Sequence, residues 1–331
     1  MIAHMLLDYS HYSPLESGES GVEMTSENQY NPKGGLKMFH SILRITLVLA
    51  VIAAAWIHAD VANANIVRDG LLSAWTFDRE TIDESGEDPI IKDLVGPFDG
   101  KIKNFRRDLG DQIQIVEGKF GEALMLGNKI TNGPVFVDVG PDIQKEMKKD
   151  FTLEGWFKFT ALPEDWPKSV YPLWSSVDGS ARNPGGMILE YRDKTLEVND
   201  SFKLSWSVLS PLGTCTATAP LSLAGPQLNQ WLHFGATYDE SFTSRVYING
   251  ELQGETACKI KEVKESRQSL KLGFSIFHPY RRVDGAIDDA RVYKRALTPE
   301  EMQKNFTDKV GLGVRPTRKL AVTWGQIKGS K

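Results

Sequence analysis

A chain of 331 residues, 41% hydrophobic and 25% charged, can bury a substantial core in one or two domains. Its formal net charge of −4, without any long basic block, argues against nucleic acid as a partner. With 29 Gly, 16 Pro and 10% aromatic residues, the composition suits a β-rich, turn-rich fold rather than a helical one.

Residues 1–37 are polar and unpatterned and read as a disordered leader, or as a mis-assigned start if Met38 is the true initiator. Residues 38–64 read as a signal peptide: an uncharged apolar run over 45–57 follows Arg44, and Ala62-Asn63-Ala64 is an A-x-A cleavage pattern that predicts a mature start at Asn65. Taken back to residue 42, the run admits Arg44 and is still short for a membrane span, so an uncleaved anchor over 42–57 is the alternative. Beyond residue 64 the chain holds 36 basic and 37 acidic residues. That near-neutral balance is not built for electrostatic capture of polyanions.

The first predicted strand covers 71–78 and is followed by a turn-rich acidic stretch over 83–89. A short strand at 90–94, a turn at 96–100, a hairpin-like entry over 118–126 and an alternating segment at 134–140 come next. Residues 151–159 alternate for nine positions, with Phe151, Leu153, Gly155, Phe157 and Phe159 on one face and Thr152, Glu154, Trp156 and Lys158 on the other. Strand signals continue at 171–176, 186–191, 195–198, 203–209, 216–219, 231–238, 244–248, 251–259 and 270–274. Asn249-Gly250 is the strongest hairpin turn in the chain.

Residues 285–293 form the closing strand, and Thr298-Pro299-Glu300-Glu301 is a capping box for one helix. About a dozen strands, one helix and no βαβ alternation predict an all-β antiparallel sandwich over roughly 67–308. Residues 309–331 are a basic C-terminal tail in which 320–324 could add an edge strand. The two cysteines, Cys215 and Cys258, read as a disulfide in an exported protein, with two buried free thiols as the alternative.

Several motifs in this order resemble a known family. They are Leu72-Ser73-Ala74-Trp75-Thr76-Phe77-Asp78, Gly118-Lys119-Phe120-Gly121-Glu122-Ala123-Leu124, the strand from Phe151 to Phe157, Trp231-Leu232-His233-Phe234, Val246-Tyr247-Ile248-Asn249-Gly250-Glu251-Leu252 and the strand from Gly285 to Tyr293. Together they are similar to LamG-like jelly-roll domains and cover about 70–306. The resemblance implies the concanavalin A-like lectin/glucanase fold, with two curved antiparallel sheets packed face to face. Members are mostly secreted or surface proteins, often bind glycans or proteins, and often hold a structural Ca²⁺.

The resemblance also frames the candidate residues. Asp288 is similar to the position that supplies a carboxylate to Ca²⁺, with Asp78 and the Asp99-Gly100 turn as its neighbours; a pairing with Arg291 or a turn-capping role is the alternative. Retaining glycoside hydrolases of this fold resemble one another in an E-x-D-x-x-E strand, and none is present here. Glu154 reads instead as a strand residue facing solvent or bonding a neighbour, and His233 as a satisfied strand histidine. A glycan platform would draw on Trp174, Tyr191, Trp206, His278 and Tyr280, aromatics that otherwise belong to the core. Asn199-Asp200-Ser201 and Asn305-Phe306-Thr307 are glycosylation sequons.

These readings lead to a secreted or surface-bound, non-catalytic module that recognises a glycan or an extracellular protein. A divergent glycoside hydrolase or lyase of the same fold, and a membrane-anchored structural or adhesion protein, are the alternatives.

Overall fold

The computed structural model describes residues 66–103, 113–127, 135–161, 170–177, 185–192, 203–220, 227–261, 263–276, 283–309 and 311–312. Among them are seventeen strands: β1 (Leu71–Trp75), β2 (Ile82–Asp83), β3 (Ile90–Ile91), β4 (Gly100–Lys103), β5 (Ile115–Glu117), β6 (Glu122–Leu126), β7 (Phe136–Gly140), β8 (Phe151–Phe159), β9 (Val170–Ser175), β10 (Gly186–Arg192), β11 (Lys203–Ser210), β12 (Gly213–Pro220), β13 (Trp231–Tyr238), β14 (Thr243–Ile248), β15 (Glu251–Ala257), β16 (Leu270–Leu272) and β17 (Gly285–Tyr293). The strands missing from the sequence reading are short ones, β2, β4 and β5. The strands expected at 195–198 and 320–324 lie outside the described residues.

All pairings are antiparallel, and they make two sheets. The first runs β15-β14-β13-β8-β17-β6-β5, with β1 beside β17; the second runs β12-β11-β10-β9-β16-β7-β4-β3-β2. Alternation decides which side chains meet between them. Phe151, Leu153, Phe157 and Phe159 of β8 face Trp174, Leu189, Trp206 and Leu272 of the second sheet within one core cluster. Each such side chain contributes roughly 1.5–3 kcal/mol by leaving water.

The predicted helix forms as α1 (Pro299–Thr307), with the full capping box: the Thr298 hydroxyl accepts from the Glu301 N–H, and the Glu301 carboxylate accepts from the Thr298 N–H. It lies on the outer side of the first sheet, where Met302 packs with Val67, Tyr247, Tyr293 and Leu297. At the opposite edge from β5 and β2, a Cys215–Cys258 disulfide with a Cα–Cα distance of 5.6 Å ties β12, the last strand of one sheet, to the residue that follows β15, the last of the other.

Candidate functional site

The pairing of β17 with β8, at the centre of the first sheet, is interrupted at one point. Along β17, Asp288 pairs with Trp156 of β8, but the next pairing is Arg291 with Glu154, so three steps on one strand answer two on the other. Asp289 absorbs the extra residue with φ 46. On its other side β17 pairs with β6 only over 285–287 and with β1 over 290–293. The end of β1 and the start of β6 therefore converge on the bulge.

Asp288 and Asp78 meet the 118–122 turn there. The Asp288 Oδ2 accepts from the Phe120 N–H at 2.8 Å, and the Asp78 Oδ1 accepts from the Glu122 N–H at 2.8 Å. The turn can approach this closely because it has glycines at the contacts. A Cβ on Gly118 would lie 2.7 Å from Asp288 Oδ2, and one on Gly121, which has φ +62, would lie 2.6 Å from Asp78 Oδ1. The second oxygen of each carboxylate, Asp288 Oδ1 and Asp78 Oδ2, is buried without a hydrogen-bond partner.

Burial, reinforced by the neighbouring Asp289 and Asp78 charges, raises the Asp288 carboxyl well above the ordinary range. Burial likewise pushes Asp78 up to about 6. Two unsatisfied carboxylate oxygens repelling one another fit a hard cation that takes its remaining ligands from backbone carbonyls and water. Among the described residues, no group of three or more His, Cys, Asp or Glu side chains could hold a metal ion. Asp99 is not a neighbour of this pair: it accepts from the Lys92 ammonium and the Asp93 N–H in its own loop.

Beside the bulge lies a buried polar hub. Glu154 Oε1 accepts from Arg291 Nη1 at 2.9 Å, Asn305 Nδ2 at 2.8 Å and Tyr293 OH at 3.3 Å. Asp289, not Asp288, takes the other side of the Arg291 guanidinium. His233 Nε2 stands 3.5 Å from Glu154 Oε2. Glu154 is thus fully buried beneath α1 rather than solvent-facing, the neighbour-bonding alternative. Asn305 also accepts from the Val67 N–H at 2.7 Å, so the hub joins both ends of the described domain to the sheet. The Asn305 sequon is consumed by these bonds.

The second sheet presents the other candidate surface. Register places Lys101, Asp138, Lys271, Ser175, Ile188, Ser207 and Thr216 in one row across its outer face, and Glu190, Ser205 and Thr218 in the next. Phe136, on the same face as Asp138, stacks with Phe274 at 4.5 Å between ring centres. The Lys271 ammonium donates to Ser269 Oγ at 2.8 Å, and that hydroxyl donates to Asp138 Oδ2 at 2.8 Å. Burial lowers the Lys271 pKa against the opposing pull of Asp138.

The aromatics expected on such a platform are elsewhere. Trp174, Tyr191 and Trp206 point inward and are fully buried in the core, because they occupy the alternate positions of the same strands. Trp206 spends its indole N–H on the Thr237 carbonyl at 3.1 Å. His278 and Tyr280 lie outside the described residues. The sequence reading missed the polar members Ser205, Ser207 and Glu190; their alternation with the core aromatics was the available signal, and small hydroxyls carry little signal alone.

Solved structures similar to the chain include the binding domain of botulinum neurotoxin DC in complex with SialylT. It is 13% identical, with 72% of this chain and 51% of that one covered at a TM-score of 0.50. Trypanosoma rangeli sialidase in complex with 2,3-difluorosialic acid matches at 14% identity, 73% of this chain, 33% of that one and a TM-score of 0.48. Domain 4 of AbnA, a GH43 extracellular arabinanase from Geobacillus stearothermophilus in complex with arabinotriose, matches at 19% identity, 72% of this chain, 98% of that one and a TM-score of 0.46. The chain spans about a third of the length of the sialidase it matches. No curated protein matches it. A family model described as the concanavalin A-like lectin/glucanases superfamily matches residues 136–303, half of the chain, over the two-sheet core described above. The chain belongs to the concanavalin A-like lectin/glucanases superfamily.

Proposed function

We propose that this protein is an exported, non-catalytic binding module whose ligand is a glycan held on the outer face of the nine-stranded sheet. The observation that carries this reading is the chemistry of that face. Its strand positions alternate with a fully apolar core, yet Ser175, Ser205, Ser207, Glu190 and Lys271 are buried polar groups on it, and the stacked Phe136–Phe274 pair lies toward its β7 and β16 side. Small hydroxyls, one carboxylate, one ammonium and an aromatic stack are what a sugar requires for hydroxyl recognition and ring contact.

Spacing speaks against hydrolysis by this face. Its strand carboxylates Asp83, Asp138 and Glu190 are at least three strands apart in the sheet order. Three spacings of ~4.8 Å make about 14 Å. A retaining pair needs ~5 Å and an inverting pair no more than ~9.5 Å.

Asp288 and Asp78 are the residues that would hold a structural Ca²⁺, supplying two negative charges and leaving neutral oxygens to complete the shell. Its contribution would be to stabilise the junction of β1, β6 and β17. The joined Cys215–Cys258 pair supports an oxidising compartment, and hence removal of residues 38–64 as a signal peptide.

The test is an array of neutral and charged glycans probed with the exported chain, followed by titration with Glu190→Gln and the double variant Ser205→Val, Ser207→Val. Binding in wild type and at least about tenfold weakening in these variants is the expected result. Sugar release from a polysaccharide panel would overturn the non-catalytic assignment. Binding only to an extracellular protein would replace the glycan with that partner.

A further inference from the structure

The outer face of the first sheet carries two lysines set over tryptophan rings. Lys158 Nζ stands 4.8 Å from the centre of the Trp231 ring, and Lys119 Nζ stands 4.3 Å from that of Trp156. Trp156 and Lys158 are two residues apart on β8, about 7 Å along one face. Register sets Trp231 directly opposite Lys158. Four other lysines of the domain are paired with acids: Lys92 with Asp99, Lys103 with Asp88, Lys145 with Asp142, Lys148 with Glu265. Among the described residues, Lys119 and Lys158 have no carboxylate partner. Lys158 donates only to the Glu117 backbone carbonyl, at 3.5 Å.

Trp231 is also the one tryptophan among the described residues that is not buried. It follows four exposed residues, Gln227, Leu228, Asn229 and Gln230. That approach is fixed in place: Asn229 has φ 61, and its N–H donates to the Phe159 carbonyl at 2.7 Å. The result is an accessible indole on a rigid strand, amide side chains next to it, and two ammonium groups without acids.

We propose that this patch is a second glycan subsite, specific for a sugar that carries a carboxylate. The indole offers a flat apolar surface to the C–H face of the sugar ring. Lys158 and Lys119 offer charge-assisted hydrogen bonds to the carboxylate, and Asn229 and Gln230 offer donors and acceptors to its hydroxyls. The inference rests on the glycan reading but occupies the opposite sheet. A local pair of cations selects one anionic group and does not require a basic protein, which this near-neutral chain is not.

Calorimetric titration of the full exported chain with 3′-sialyllactose and trigalacturonate, against lactose and the methyl ester of trigalacturonate, tests it. The acidic sugars are expected to bind at least about tenfold more tightly than their neutral counterparts, with the preference falling as salt rises. Trp231→Ala and Lys158→Gln should each weaken acidic-sugar binding by about tenfold, the effect of removing a central anchor, while Trp231→Phe retains most of it. Melting curves and binding of neutral glycans confirm that each variant is folded. Equal binding of acidic and neutral sugars, or wild-type acidic-sugar affinity in folded Trp231→Ala, overturns the proposal. If acidic sugars are lost only on Glu190→Gln, this subsite fails while the glycan reading stands. If no sugar binds the wild type, both fail.

Discussion

Replacing Glu154 by alanine should be among the most destabilising single changes in the domain. The substitution removes the acceptor for Arg291 Nη1, Asn305 Nδ2 and Tyr293 OH together. Asn305 and Tyr293 keep one another at 2.9 Å, so their loss is partial. Arg291 is the larger problem, because it is fully buried and would retain only Asp289. Removing one partner of a buried ion pair costs about 3–5 kcal/mol. Glu154→Gln keeps a carbonyl oxygen in the same place and loses only the charge, so about 1–2 kcal/mol is expected.

Urea unfolding of the two variants at pH 7 measures both numbers. The pH dependence supplies a second check. Burial pushes the Glu154 carboxyl up, but the His233 contact and the Arg291 charge outweigh it and leave it below its usual 4.5. A depressed carboxylate adds stability that is present above the unfolded value and is lost as pH falls through the folded one. The gap between wild type and Glu154→Gln should therefore narrow below about pH 4.5. A cost under about 1 kcal/mol for Glu154→Ala at pH 7, or a gap that widens on acidification, would refute the reasoning.

Three further outcomes are expected. Saturating Ca²⁺ should raise the melting temperature of the wild type by roughly 5–10 °C over chelator, and Asp288→Ala should remove that difference; an unchanged response sinks the Ca²⁺ assignment. Reducing the Cys215–Cys258 bridge, with a sequence separation of 43, should cost about 4 kcal/mol in denaturant titrations, and a loss below about 1 kcal/mol would contradict its role in tying the two sheets. In a eukaryotic secretory host, mass spectrometry should find Asn305 unmodified, since its amide donates to Glu154 and Tyr293 inside the fold; a glycan there would show that α1 docks late or loosely.

Alternation made the sandwich readable. β8 was predicted at its observed bounds because nine residues of period-two patterning leave few other conformations, and β17 was read from its β-branched and aromatic character. The capping box located α1 for a similar local reason. What stayed hidden depends on register between distant segments. Ser205 and Glu190 come side by side only when β10 and β11 pair, and Trp206 is core for the same reason. The sequence placed Asp288 correctly as the odd carboxylate in its strand. It could not say that Arg291 belongs to Asp289, since strict alternation would send Asp289 into the core.

That single departure from alternation has consequences beyond its own strand. Without the extra residue at Asp289, a two-residue period would point either Asp288 or Asp289 at the apolar cluster that holds Ile287, Ala290 and Val292. With it, Asp288 reaches the 118–122 turn and Asp289 reaches Arg291, both away from the core. The turn and the hub beneath α1 thus share one backbone irregularity. Gly311 continues the connection, because a Cβ there would lie 2.7 Å from Phe120 and 2.8 Å from Asp289 Oδ2. The segment that follows α1 is packed against the same two residues that the bulge positions. Losing the bulge should therefore disturb the carboxylate pair and the helix together, whereas a defect in the nine-stranded sheet should leave both intact.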